Sequence, residues 1–143
     1  MKVAIINFNS GNLHSIKKSV TDLGYEAFIC HDSTNLKNSD KIILPGVGSF
    51  HNAMIHLQKF GFVDSLNELV IKKKVPILGV CLGMQLLCNS STERKFSKGL
   101  SFVDVASKPY WDHIIELSVD SYNIGFDELN FDYIRYPSDG NMA

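Results

Sequence analysis

Val75-Pro76-Ile77-Leu78-Gly79-Val80-Cys81-Leu82-Gly83-Met84-Gln85-Leu86-Leu87 sets a short apolar run against two glycines and then a helix-forming segment. Ile77 to Val80 reads as a buried strand, and Met84, Leu86 and Leu87 read as the start of a helix. Between them, Gly79-x-Cys81-x-Gly83 puts a thiol at the tip of a tight strand-to-helix turn. This is the layout of a nucleophile elbow, with sulfur where hydrolases often carry a Ser hydroxyl. The glycines have a physical reason: the turn residue is strained, and neighbours without a Cβ let strand and helix close up. A Cys at a helix N-terminus also meets the positive end of the macrodipole, which favours the thiolate. The alternative is a small buried core Cys. The paired glycines at a strand-to-helix junction favour the nucleophile.

Upstream, strands alternate with helices. Val3 to Phe8, apolar except for Asn7, reads as a strand buried on both faces of a parallel sheet. Asn12 can cap a helix carrying Leu13, Ile16, Val20 and Leu23 on one face, stopped by Gly24. A second strand is expected around Glu26 to Cys30, then a loop or short helix over His31 to Asp40. A third strand, Lys41 to Leu44, runs into Pro45-Gly46-Val47-Gly48-Ser49-Phe50. Phe50, Met54 and Leu57 mark one helix, and Val63, Leu66, Leu69 and Val70 a second, with Lys72, Lys73 and Lys74 at its C-terminal end. Such alternation implies a parallel sheet with right-handed crossovers. The site of such a sheet lies beyond the C-terminal strand ends, where both glycine loops fall.

The second glycine loop lacks the G-x-G-x-x-G spacing and the Walker Lys of a phosphate cradle. An oxyanion hole suits it better. When a thiolate attacks a carboxamide, charge develops on oxygen, and N–H groups of Gly46, Val47 and Gly48 can meet it together with the N–H of Leu82. The competing reading is a plain tight turn, for which glycine serves equally well.

The chain has 143 residues, the length of one ordinary domain, with 45% hydrophobic and 20% charged residues and a net charge of -1. These values describe a soluble globular protein with no electrostatic reason to bind nucleic acid or a membrane. No apolar run approaches the roughly 20 residues of a membrane span. Met1 leads straight into a strand, so no signal peptide is expected. Three cysteines without framework spacing fit a reducing cytoplasm. No Cys/His cluster has zinc spacing, so neither a metal nor a cofactor is expected.

Residues 1 to about 104 resemble the class I (triad) glutamine amidotransferases, specifically the glutaminase subunit of imidazole glycerol phosphate synthase. The resemblance is carried by Ser10-Gly11-Asn12-Leu13, by Leu44-Pro45-Gly46-Val47-Gly48-Ser49-Phe50, by Leu78 to Leu87, and by Glu93. It implies a three-layer, flavodoxin-like α/β domain in which Cys81 attacks the side-chain amide of glutamine, giving ammonia and a glutamyl thioester. It further implies that Gln85 and Glu93 hold the glutamine, with Gly48 and Leu82 at the oxyanion. The implied partner is a cyclase subunit, a β/α barrel forming a heterodimer with the glutaminase and using the ammonia in histidine biosynthesis. The chain departs from that family in one respect. The family's base is a His two residues before a Glu, and after Cys81 this chain has only His113, followed by Ile114, Ile115 and Glu116. His14, His31, His51 and His56 precede the nucleophile and match no triad position. The domain thus reads as truncated, with catalysis impaired.

From about 105 to 142 the text changes. Ser107 can cap a helix bearing Trp111, Ile114, Ile115 and Tyr122, ended by Gly125; Glu128 to Ile134 reads as a strand and Pro137-Ser138-Asp139-Gly140 as a turn. This αβ unit is similar to a segment of glycosyl hydrolases with a β/α barrel, in which Asp132 and Arg135 would project from a strand end. One strand cannot make a carbohydrate site, because glycoside hydrolysis needs paired carboxylates across a cleft. The division expected is therefore 1–104 and 105–143, with the tail available to cover the sheet edge. Two other functional readings stand beside the glutaminase: a different thiol hydrolase of the dienelactone-hydrolase kind, and a binding module that docks on the cyclase without making ammonia.

Overall fold

Four short apolar segments pair in parallel, because each is followed by a helix that returns the chain to the same end of the sheet. The computed structural model describes residues 1–9, 11–103 and 107–127. The strands are β1 (Lys2–Ile6), β2 (Glu26–Cys30), β3 (Lys41–Gly46) and β4 (Ile77–Cys81), in spatial order β2-β1-β3-β4. The helices are α1 (Leu13–Asp22), α2 (Phe50–Lys59), α3 (Phe62–Leu66, continued by a π-helical turn over Asn67–Lys72) and α4 (Leu82–Leu86). A 3-10 helix spans Ser33–Asn38, and a two-rung antiparallel hairpin joins β5 (Ser90–Ser91) to β6 (Ser97–Lys98).

Alternation along the strands divides the core into two faces. Val3, Ile5, Ala27 and Ile43 lie on one, under Leu13, Ile16 and Val20 of α1. Ala4, Ile6, Ile42 and Leu44 are buried on the other, where α4 packs on β3 and β4 and is joined by α2. Asn12 caps α1 by accepting the Ser15 N–H at 3.3 Å. Leu23 departs from the expected α1 face. It is the C-cap residue and stands exposed, since the helix ends at Asp22 before the fourth apolar position is reached.

β4 is not the buried strand its composition suggests. Among the described strands it is the outermost on its side of the sheet, and Leu78 and Val80 are 59% and 40% exposed. Leu78 pairs with Ile43, so it shares the face on which α1 sits, but α1 packs over Val3, Ile5, Ala27 and Ile43 and stops short of it. β3 in turn runs two residues further than expected, through Pro45 to Gly46. Pro45 pairs with Val80 of β4, past the last β1 partner at Ile43, so its missing N–H leaves no gap on the β1 side.

The chain divides into two units, Met1–Phe102 and Val103–Ala143. Within the second, α5 (Lys108–Ile124) follows Ser107 as N-cap, with Pro in the first turn, and ends on Gly125 at φ +116°. The strand expected at Glu128 to Ile134, the turn at 137–140, and Asp132 and Arg135 lie outside the described residues.

Cys30 closes β2 at 1% exposure, and burial together with the nearby Asp32 carboxylate pushes its thiol up to about 11 from an ordinary value of 9.0. Below pH 9 the thiol is neutral in both folded and unfolded chains. Above it the unfolded chain releases a proton that the folded chain keeps, so stability falls between pH 9 and about 11, by on the order of 2 to 3 kcal/mol. In urea titrations the stability advantage of the native chain over Cys30→Ala should therefore narrow across that window. An unchanged difference would contradict the burial of this thiol.

Candidate active site

Cys81 ends β4 at φ +55°, ψ -121°, a conformation rare for any residue with a Cβ. The two glycines around it are spatial necessities. A Cβ on Gly79 would stand 2.5 Å from the Met84 Cα, and one on Gly83 would collide with the Leu44 carbonyl oxygen. α4 is thereby laid directly across β3 and β4, and the thiol is turned out of the core. Cys81 is exposed, whereas Cys30 is buried and Cys88 half-buried; all three are free. Burial also pushes the Cys88 thiol up. α4 has only five residues, so the field at its start is that of little more than one helical turn, less than the sequence suggested.

The second loop arrives beside the first. Gly46 is the register partner of Cys81 in the β3–β4 ladder, which sets their backbones about 4.8 Å apart. A Cβ on Gly46 would lie 3.3 Å from the Leu82 Cβ and 3.4 Å from the Gly83 nitrogen. The start of the loop thus touches the start of α4, where the N–H of Leu82 has no intrahelical acceptor. Val47 is 61% exposed, and Gly48, at φ +105°, uses its missing Cβ to turn the chain. The loop also walls a cavity of about 270 Å³ at the ends of β1 and β3, with Asn9, Asn52 and His56 on its sides; Cys81 is not among its lining residues. A smaller cavity of about 180 Å³ is lined by Lys37, Asp64, Ser65 and Glu68 and has no cysteine on its walls.

Gln85 is exposed on α4, four residues past the thiol. Glu93 has a partner that its sequence context did not suggest: Oε2 accepts the N–H of Phe50 at 3.1 Å, capping α2. Three histidines of this unit have partners other than the thiol. His31 Nδ1 meets the Asn7 amide at 3.0 Å, His51 Nδ1 meets Ser97 Oγ at 2.7 Å, and His56 Nδ1 lies 3.0 Å from the Phe8 carbonyl oxygen. His14 is exposed on α1. Among the described residues no group of three or more His, Cys, Asp and Glu side chains could hold a metal ion.

The chain is 45% identical over 102 residues to the imidazole glycerol phosphate synthase subunit HisH 2 of Methanococcus maripaludis, covering 71% of this chain and 50% of the relative. It is 46% identical over 100 residues to subunit HisH of Methanopyrus kandleri, covering 70% and 49%. In sequence the chain is thus similar to HisH subunits over about 100 residues. With HisH 1 of Parasynechococcus marenigrum the identity is 41% over 113 residues, 79% of this chain and 54% of the relative. The chain spans about half the length of the curated HisH relatives it matches. A solved structure described as a glutamine amidotransferase superposes with a TM-score of 0.57 at 19% identity, covering 68% of this chain and 51% of that one. The parallel α/β fold is therefore shared with that enzyme class. A family model described as "Putative glycosyl hydrolase domain" matches residues 84–143. That match begins well before residue 105, inside α4, so it overlaps the HisH-like part across Gln85, Glu93 and the β5–β6 hairpin. Among the described residues no helix is long and apolar enough to cross a membrane.

Proposed function

We propose that the N-terminal unit is the nucleophile-bearing part of a glutaminase that supplies ammonia to a cyclase subunit of imidazole glycerol phosphate synthase, in histidine biosynthesis. The observation that carries this reading is the register of Cys81 with Gly46, which sets an exposed thiol at the mouth of the Val47-Gly48 loop. The Cys81 Sγ attacks the side-chain carbonyl carbon of glutamine. The developing oxyanion is met by the N–H groups of Leu82 and Gly48, with Gly46 and Val47 shaping the loop. Collapse breaks the C–N bond, the nitrogen takes up a proton and leaves as ammonia, and water then releases glutamate from the thioester. Gln85 and Glu93 hold the amino acid; with Oε2 on Phe50, the Oε1 of Glu93 is the oxygen left for its ammonium group. No cofactor or metal enters this chemistry. Three free thiols fit a cytoplasmic protein.

Within these 143 residues no histidine stands two residues before a Glu, the spacing expected of the base. After Cys81 the only histidine is His113, and the other histidines of the HisH-like unit are turned to Asn7, Ser97 and the Phe8 carbonyl or stand on the outer side of α1. A positioned base or acid contributes about 10²- to 10⁴-fold. The 143-residue chain incubated with glutamine should accordingly form glutamate at well under about 1 s⁻¹, the low end of ordinary turnover. Addition of a cyclase subunit should leave that rate low while the two proteins still bind each other. Turnover at ordinary enzyme rates would refute impairment; failure to bind a cyclase would remove the partner from the reading.

A further inference from the structure

The oxyanion loop is held at both ends by the same stretch of chain. Its first residue, Gly46, is laddered to Cys81. Its last, Ser49, leads into the first turn of α2, and that turn is tied to the β5–β6 hairpin. Ser49 is the N-cap but makes no side-chain cap hydrogen bond; Glu93 caps Phe50 in its place. One residue on, His51 Nδ1 and Ser97 Oγ are 2.7 Å apart, and Ser97 is 8% exposed on β6. The hairpin itself is fastened to the end of α4: the Gly99 N–H donates to the Asn89 carbonyl at 2.8 Å and the Leu100 N–H to the Leu86 carbonyl at 2.9 Å. Gly99 is pressed between the Cys88 carbonyl and the Phe50 ring, so a Cβ there would lie 3.0 Å from the Phe50 Cζ. Elbow, hairpin and α2 start thus form one closed frame around Val47 and Gly48.

We propose that the β5–β6 hairpin clamps the oxyanion loop, with His51 and Ser97 as positioning residues that set where the Val47 and Gly48 amides stand relative to the Cys81 sulfur. The proposal rests on the glutaminase reading for its chemical meaning. Its mechanical content stands on the distances alone. The physical requirement is strict, because a misplacement of about 1 Å at a reacting centre can cost about 100-fold in rate. A loop turning on a glycine at φ +105° has little rigidity of its own. The His51–Ser97 pair joins residues 46 apart in sequence, so it fixes the loop against the nucleophile's own helix and hairpin.

The test uses the full chain and the variants Ser97→Ala, His51→Leu and Ser97→Thr. A chloromethyl ketone analogue of glutamine alkylates a thiol by forming the S–C bond and expelling chloride, the thiol proton passing to solvent. The ketone oxygen carries negative charge on the way, so this rate reads the oxyanion site. Chloroacetamide, too small to use the pocket, reads thiol access alone. Ser97→Ala and His51→Leu should each slow the ketone by about five- to tenfold, the scale of one net hydrogen bond. Chloroacetamide labelling should stay within about twofold, and Ser97→Thr should restore the native rate. Amide hydrogen exchange at Val47 and Gly48 should rise by about tenfold in Ser97→Ala. Equal slowing of both reagents would mark a structural role and overturn the proposal, as would unchanged exchange at Val47 and Gly48. If the native chain takes the glutamine analogue no faster than chloroacetamide, the glutaminase reading fails, while the exchange result still decides the clamp.

Discussion

Cys81→Ala will abolish labelling by a chloromethyl ketone analogue of glutamine and bring glutamate formation to background. The expectation rests on the contrast between three thiols in one chain. Cys30 is 1% exposed with its thiol pushed up to about 11, so at pH 7.5 only about one molecule in 3,000 carries it as thiolate. Cys88 is half-buried and its thiol is likewise pushed up by burial. Neither can replace an exposed thiol at the mouth of a glycine loop, because the thiolate is the nucleophile. Peptide mass spectrometry of the labelled chain should find the adduct on Cys81 alone. An adduct that survives in Cys81→Ala, or one that maps to Cys88, would remove the assigned nucleophile.

The same residue should show a trade of stability against reactivity. At φ +55°, ψ -121° a side chain costs of order 1–3 kcal/mol. Cys81→Gly relieves that strain and gives back about 0.5–1 kcal/mol through the greater freedom of the unfolded chain. A net gain of about 1 kcal/mol in urea denaturation is expected for Cys81→Gly, and none for Cys81→Ala, which keeps the Cβ. The thiol is thus presented at the expense of local stability.

The elbow was legible in the sequence because its glycines are demanded by sterics. Gly79 and Gly83 sit at the two positions where a Cβ would strike Met84 or Leu44. The α1 face was legible for a related reason, since Leu13, Ile16 and Val20 repeat at helical spacing and pack together on β1 to β3. The β5–β6 hairpin left no such trace. Ser90-Ser91-Thr92-Glu93-Arg94-Lys95-Phe96-Ser97-Lys98 shows no alternation of apolar and polar residues, and its ladder has two rungs. Long-range partners hold it, His51 to Ser97 and Phe50 to Glu93, and composition or spacing cannot report a contact across more than 40 residues. The exposure of β4 was illegible on similar grounds. Ile77-Leu78-Gly79-Val80 has the composition of a buried parallel strand, and its exposure reflects that α1 packs over Val3, Ile5, Ala27 and Ile43 instead.

Gly83→Ala should lower the melting temperature by about 15 °C or more, or leave the chain insoluble. Ordinary overpacking costs about 1–3 kcal/mol because neighbouring side chains can rotate away. Here the obstacle is the Leu44 carbonyl oxygen, with the Leu44 carbonyl carbon 2.6 Å from the added atom, and Leu44 is a fully buried residue of an interior strand. Backbone held in a sheet cannot yield without lifting α4 from β3, so a cost above about 3 kcal/mol is expected, a large part of the 5–15 kcal/mol that holds a domain together. For a unit of this size each kcal/mol moves the midpoint by about 4–8 °C. Gly48→Ala is the control: its new Cβ would meet nothing within 4 Å, although φ +105° makes it strained. Its loss should be confined to the roughly 1–3 kcal/mol of a strained residue. A Gly83→Ala chain that melts like the native protein would mean that α4 does not lie against β3, and the thiol would then lose its place beside Gly46. Because β3, α4 and the loop meet at this one glycine, the melting curve tests the geometry of the site independently of any chemistry it performs.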